Sequence, residues 1–288
     1  MATLRDIKRR ITSVKKTQQI TKAMKMVAAA KLRKAQERIN QTRPYAESLG
    51  DVLARVAANV DSDLNPYLKK PDTVESVCLV VITSDRGLCG SFNTNIIRTA
   101  RQEADRLRAE GKTVKIVAVG RKGYEYFHRR DFDVVAKYIN IFRDLNYEHA
   151  KEIARLVVRA YLEGEYDQVN LVFTAAVSAI KADLHNMVYL PLSAGHSDEQ
   201  QHDTDYLFEP EPEVLLRELC PKNLNIQMWR ALLDSYAAEE SARMVAMESA
   251  TDNAQEMIEG LTLHYNKVRQ AAITTEISEI VGGAEALK

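Results

Sequence analysis

Two long segments, one at each end of the chain, are nearly free of helix breakers, and this limits the fold more than any other feature of the 288 residues. No glycine or proline precedes Pro44, and between Pro221 and Gly282 there is only Gly260. Glycine and proline are the usual punctuation of secondary structure, so both segments predict long helices. The first carries a seven-residue repeat. One set of positions is Leu4, Ile11, Gln18, Lys25, Leu32 and Ile39; the other is Ile7, Val14, Thr21, Ala28, Ala35 and Thr42. This is a coiled-coil seam, apolar at its ends and polar or small in its middle. The last segment repeats the pattern through Met244, Met247, Thr251, Ala254, Ile258, Leu261, Tyr265, Val268 and Ala272. An earlier run, Ile226, Trp229, Leu233 and Tyr236, joins it only through four extra residues, a stutter that locally unwinds a supercoil. At ~1.5 Å per residue, a helix from Glu213 to the end spans on the order of 100 Å, and one to about Ala58 spans ~80 Å.

Charge supports pairing of the two segments. Formal net charge is zero, but residues 1–45 hold thirteen Lys and Arg against Asp6 and Glu37, a net +11. Residues 230–288 hold five cations and ten carboxylates, a net −5. Such polarity calls for an electrostatic partner inside or outside the chain. The basic stretch also fits a nucleic-acid arm, but it has no aromatic before Tyr45 to stack on bases.

Between the helices the pattern changes. Apolar β-branched runs at 77–83, 114–119, 134–139, 169–173 and 187–190 alternate with helical patterns at 95–109, 123–129 and 147–162. Strand alternating with helix predicts an α/β domain with a mostly parallel sheet. The fold class is therefore α/β plus coiled coil: an antiparallel two-helix coiled coil from the chain termini with an inserted Rossmann-like α/β domain. The expected division is an N-terminal helix at 1–58, a linker at 59–74, the α/β domain at 75–209, and a C-terminal helix at 210–288 that pairs with 1–58. Residues 193–205 form a polar loop.

Candidate chemistry is sparse. Neither G-x-G-x-x-G nor G-x-x-x-x-G-K-[ST] occurs. The turn SDRGLCG at 84–90 follows the first strand and resembles a phosphate loop only in its glycines, so a structural turn is the favoured reading over an anion site. Cys89 in that turn has no histidine near it in sequence to act as a base. The three cysteines and six histidines show no metal-ligand spacing. No catalytic, cofactor-binding or metal residue is assigned. No stretch reaches the ~18–20 apolar residues of a membrane span. The basic start invites comparison with a transit peptide, but the helical register begins at Leu4.

The two ends resemble the gamma-subunit family of bacterial F-type ATP synthases. The resemblance rests on ITKAMKMVAA at 20–29, KLRKA at 31–35, ARMVAM at 242–247, ATDN at 250–253, and YNKVRQAAIT at 265–274 with EI and EIV just after it. The turn at 84–90 and YLFEP at 206–210 are similar to the family's loops. The resemblance implies a non-catalytic rotor shaft without cofactors, one copy per complex. It would turn inside a hexamer of three alpha and three beta subunits, standing on an epsilon subunit and a membrane-embedded c-ring. Ion flow through the ring would then drive the catalytic beta sites through binding, synthesis and release. The implied location is the cytoplasmic face of the bacterial inner membrane, peripheral and held there only through the complex, with no nucleic acid bound. Positions implied to face beta are Lys22, Met24, Lys25, Arg269, Gln270, Thr274, Glu276 and Glu279. Tyr206 and Glu209 are implied to face epsilon and the c-ring. Photosynthetic relatives in plants carry an inserted cysteine pair; no two cysteines lie close here, so thiol regulation of that kind is not expected. Two other readings compete: a small-molecule α/β enzyme dimerised by its helices, and a coiled-coil nucleic-acid binder.

Overall fold

A computed structural model describes residues 3–61, 63, 65–176, 182–192 and 208–285. Its elements run α1 (Leu4–Ala57), β1 (Ser76–Ile82), α2 (Phe92–Ala109), β2 (Thr113–Val119), α3 (Arg121–His128), β3 (Asp133–Tyr138), α4 (Tyr147–Leu162), β4 (Gln168–Ala176), β5 (Ala182–Leu190) and α5 (Pro212–Glu285). The two end helices are 54 and 74 residues long. Each runs through a proline. Pro44 and Pro221 each remove one bond to the carbonyl four residues earlier, at Asn40 and Arg217. Both of those residues are exposed, so water can satisfy the freed carbonyls.

The chain contacts divide into two compact units, residues 29–242 and residues 3–28 with 243–285. In the larger unit a five-stranded sheet has the order β3-β2-β1-β4-β5. β1 pairs in parallel with both β2 and β4, and β2 with β3, whereas β4 and β5 are antiparallel. The sheet is therefore Rossmann-like and mixed, with one antiparallel edge strand. β5 is also longer than the 187–190 run expected, because its first half (Ala182 to Asn186) is polar and half-exposed and so carries no apolar signature.

Strand alternation sorts the core onto two faces. Cys78, Val80 and Ile82 of β1 enter one cluster with α4, α5 and the last turns of α1; Val77, Leu79 and Val81 enter the other with α2 and α3. Both faces are buried, which is why β1 reads as a continuous apolar run. Between Leu216 and Ser241, α5 buries residues on every side, as a helix inside a core must.

The smaller unit is a pair of helical segments. Gln18 bonds Gln255, Thr21 bonds Thr251 and Lys25 pairs with Glu248; one number rises as the other falls, so the segments are antiparallel. Buried and half-buried positions of α1 recur at Leu4, Ile7, Ile11, Val14, Gln18, Thr21, Lys25 and Ala28, the two sets of the heptad. On α5 they recur at Met244, Met247, Thr251, Ala254, Ile258, Leu261, Tyr265 and Val268.

Candidate functional site

In an α/β sheet the default ligand position is the crevice at the carboxyl ends of the strands, where the strand order reverses; here that is between β1 and β4. Beside it, at the carboxyl ends of β1, β2 and β3, the chain satisfies its own polar groups. The backbone N–H groups of Arg121 and Asn140 both donate to an Asp85 carboxylate oxygen, at 3.0 and 2.8 Å, so a carboxylate already occupies the N-terminus of α3. The Ser84 N–H donates to the Asn93 side chain at 3.0 Å, and the Asn93 amide returns a bond to Ser84 Oγ at 2.8 Å. Thr83 Oγ1 donates to the Val119 carbonyl and accepts from the Gly123 N–H. From α5, Ser235 Oγ donates to the carbonyl of Ile82, the last residue of β1. Gly120 permits this closeness: at φ +91° a Cβ there would stand 2.1 Å from the Thr83 carbonyl oxygen. The turn at 84–90 is thus a self-satisfied structural turn. Burial pushes the Cys78 thiol up to about 12 and the Cys220 thiol up to about 11, which leaves both protonated and unreactive at neutral pH.

The helical pair holds two distinct surfaces. In its middle the seam is polar. Thr21 and Thr251 share a 2.8 Å hydroxyl contact, with Thr21 only 8 % exposed, and each hydroxyl also reaches a carbonyl of its own helix. Gln18 donates to Gln255 at 2.9 Å, and Lys25 lies 2.5 Å from Glu248. Beside these layers is a groove of about 410 Å³, lined by Gln18, Gln19, Lys22, Lys25, Met26, Glu248, Thr251 and Asp252. At about 100° per residue, Lys22, Lys25 and Met26 fall on one flank of the seam, while Met24 falls on the other with Ile20 and Val27. Ile20, Met26 and Val27 are 57–60 % exposed.

The second surface is the end of α5. Its half-buried positions stop at Val268, and from Arg269 to Gly282 every residue is exposed. The register explains this: with Gln18 opposite Gln255, Leu4 stands opposite roughly Arg269, and α5 continues where α1 has ended. This overhang is not hydrophilic. Ile273, Ile277, Ile280 and Val281 form one stripe and are 46, 56, 68 and 57 % exposed.

The expected contact residues are accordingly split. Lys22 and Lys25 share the groove, and Lys25 is partly committed to Glu248 within the chain. Arg269, Gln270, Thr274, Glu276 and Glu279 all lie on the overhang, roughly 27 to 42 Å along the axis from Lys22 at 1.5 Å per residue. Arg269, Gln270 and Thr274 join or border the apolar stripe; Glu279 faces away from it, and the Thr274 hydroxyl is bonded to the Gln270 carbonyl. Glu209 is exposed in the larger unit, and Tyr206 lies outside the described residues. Sequence reading passed over the four apolar residues of the stripe and over Ile20, Met26 and Val27. The signal that identifies the stripe is its i, i+4, i+7, i+8 spacing.

An antiparallel helical pair with a polar seam and an exposed apolar stripe, together with a second unit built on a Rossmann-like sheet, defines a subunit built for assembly. A family profile described as ATP synthase matches residues 3–287. The chain is 50 % identical to the ATP synthase gamma chain of Prosthecochloris aestuarii, over all of this chain and 99 % of that one. It is 47 % identical to that of Chloroherpeton thalassium, with the same coverage. Among solved structures, a chain of the Tetrahymena thermophila mitochondrial ATP synthase central stalk and c-ring is 29 % identical, with a TM-score of 0.60, covering 80 % of this chain and 99 % of that one. A chain of the Euglena gracilis mitochondrial ATP synthase (OSCP, F1 and c-ring) matches in fold, with a TM-score of 0.71 at 21 % identity, covering 99 % of this chain and 94 % of that one. The chain belongs to the ATP synthase gamma chain family.

Proposed function

We propose that this chain is the central rotor shaft of an F-type ATP synthase: it couples ion-driven rotation of a c-ring to sequential conformational change in catalytic beta subunits and performs no chemistry itself. The observation that carries this reading is the overhang of α5. An exposed helix face bearing three isoleucines and a valine marks a surface for a partner, and its position past the end of α1 makes it a single narrow helix that fits inside a ring of subunits. The polar middle of the seam supports the same role. Hydroxyl, amide and ion-pair layers hold the helices in register with little apolar interlock, and a surface that must pass three partners in turn has to bias their states without locking any of them.

In functional terms the shaft comprises residues 1–58 and 210–288, joined through a linker at 59–74 to the α/β domain at 75–209. Its partners are the alpha and beta subunits around the helical pair and the epsilon subunit and c-ring around Tyr206 and Glu209, with one copy per complex. Lys22, Met24 and Lys25 meet beta at mid-height; Arg269, Gln270, Thr274, Glu276 and Glu279 flank the apolar tip. Among the described residues no helix is long and apolar enough to cross a membrane. In this reading the chain is a peripheral subunit on the cytoplasmic face, held through the complex.

The test separates outward charge from the intrachain ion pair. Lys22→Glu, and Lys25→Glu combined with Glu248→Lys, reverse the outward groups while the Lys25–Glu248 contact is kept in swapped form. In the assembled enzyme these variants should retain ATP hydrolysis and lose most ATP-driven ion pumping. Undiminished pumping would remove these lysines from the coupling surface.

A further inference from the structure

Within residues 29–242, one face of α1 carries cations without acids. Lys31, Lys34 and Arg38 step by three and four, so they stand one above another along the helix. Between Asp6 and Glu47 the only carboxylate of α1 is Glu37, and it pairs with Arg33 on the other side of the helix. Like charges at this spacing oppose the helix that holds them. A fourth cation arrives from far along the sequence. The short 3₁₀ turn Ile141–Arg143 packs on α5 through Phe142, whose ring stacks on Tyr236 at 6.1 Å and 10°, and this sets Arg143 beside α1.

The four cations rim a pocket of about 120 Å³. Its floor is Ala35, Phe142, Leu145 and Tyr236, the first three of them buried. An apolar floor lowers the local dielectric and strengthens the field of the charges above it. Two of the cations are held in place. Arg38 donates one N–H to the Leu145 carbonyl at 2.9 Å and keeps the rest of its donor fork, and Lys31 stands 3.4 Å from the buried Glu240. Lys34 and Arg143 make no hydrogen bond or ion pair among the described residues. Asp144 also lines the pocket, yet among the described residues its carboxylate pairs with none of the four. Against Asp144 and Glu240 the four cations leave a net charge of +2, the complement of one dianion. The volume is that of about four water molecules, room for one tetrahedral oxyanion.

We propose that this pocket binds inorganic phosphate as its hydrogen-phosphate dianion. Arg38, Arg143 and Lys34 donate to the phosphate oxygens, Lys31 adds charge, and the Asp144 carboxylate accepts the one P–OH proton. The last contact sets the specificity. Sulfate and the terminal phosphoryl group of a nucleotide are also dianions near neutral pH. Neither carries a proton for Asp144 to accept, so each meets that carboxylate as a repulsion. Every group in the site belongs to this chain, so binding needs no other subunit.

The test is phosphate titrated calorimetrically into the full chain at constant ionic strength, with sulfate, AMP and ATP in parallel. Phosphate should saturate at one per chain with a dissociation constant on the order of 1 mM, and the other three should bind more weakly. Arg143→Gln, which removes no contact inside the described chain, should weaken phosphate about threefold to tenfold with the unfolding midpoint unchanged. Arg33→Gln, an equal loss of charge on the other side of α1, should leave the constant within about twofold of the parent. Asp144→Asn should remove the preference for phosphate over sulfate. The proposal fails if phosphate does not saturate, if Arg33→Gln weakens it as much as Arg143→Gln, or if sulfate binds the parent as well as phosphate does. Tighter binding of ATP than of phosphate would assign the pocket to nucleotide phosphoryl groups and overturn it as well.

Discussion

Replacing Ile273, Ile277 and Ile280 together by serine tests whether the α5 overhang is a covered surface. The three side chains are 46, 56 and 68 % exposed in the free chain, so truncation there removes little buried area. Isoleucine and serine have similar helix propensities, and the isolated chain should lose less than ~1 kcal/mol. In an assembly that covers the stripe, the reckoning differs. Full burial of an isoleucine is worth ~1.5–3 kcal/mol, and about half to two-thirds of each side chain remains to be covered, so the three should forfeit roughly 3–5 kcal/mol of association. That is on the order of 10² to 10³ in affinity. The assay pairs thermal unfolding of the isolated variant with its rate of loss from reconstituted complex after dilution. Expected are an unfolding midpoint within a few degrees of the parent and dissociation faster by two orders of magnitude or more. If the complex holds the variant as tightly as the parent, the stripe is not a contact. If the isolated chain is strongly destabilised, the stripe packs against something within the chain and the overhang is misread.

Other substitutions probe the parts that position these surfaces. Gly120→Ala places a Cβ 2.1 Å from the Thr83 carbonyl oxygen at a positive φ, and should cost about 2–4 kcal/mol in chemical denaturation. Thr21→Val with Thr251→Val removes the hydroxyl pair while keeping shape; each hydroxyl also bonds its own helix, so the double variant should unfold within ~1 kcal/mol of the parent, with a coupling of about 0.5–1.5 kcal/mol between the sites in a double-mutant cycle. Asp234 has its acidity weakened by desolvation, partly offset by Arg230, His185 and Arg43. Its folded pKa lies above the unfolded value near 3.8, so the carboxyl favours the folded state most below that value, and this contribution is lost as pH rises through the folded pKa. Asp234→Asn should therefore raise the unfolding midpoint at pH 7, with the advantage shrinking below about pH 4; an equal gain at pH 3 and pH 7 would contradict it.

The helices and strands were legible for a simple reason: each has a face with one partner. The heptad positions Ile7, Thr21, Ala28 and Ala35 are buried as their spacing implies, and the two-faced core makes β1 and β4 unmistakable apolar runs. The polar seam was equally legible, because Gln18, Thr21 and Thr251 interrupt the apolar sets at matching heights. The expected stutter falls where Tyr236, Glu240 and Met244 succeed one another at four-residue steps. There Glu240 is buried to 2 % exposure with Lys31 at 3.4 Å, an ion pair that no local pattern foretells. The antiparallel direction of β5 also lay beyond reading, since it depends on pairing with β4 and not on its own mixed residues. On the overhang the sequence pointed to Arg269, Gln270, Thr274, Glu276 and Glu279 but not to the apolar stripe among them. The apolar stripe continues as if in a seam, and only the register of the helical pair shows that, among the described residues, α1 does not reach opposite it.

That register has a consequence for how the chain is made. Gln18 waits for Gln255, 237 residues later, and Thr21 waits for Thr251. At ~5–20 residues per second of synthesis, the first helix leaves the ribosome roughly 12 to 50 s before its partner exists. During that interval a segment of net charge +11 holds an uncovered seam, with no local contact to bury it. Closing contacts so far apart in sequence is slow, so the residues of the first helix are among the last to reach their final neighbours. A nascent chain stalled after the sheet would present a basic, half-apolar helix to whatever acidic surface is nearest, the ribosome's own RNA included.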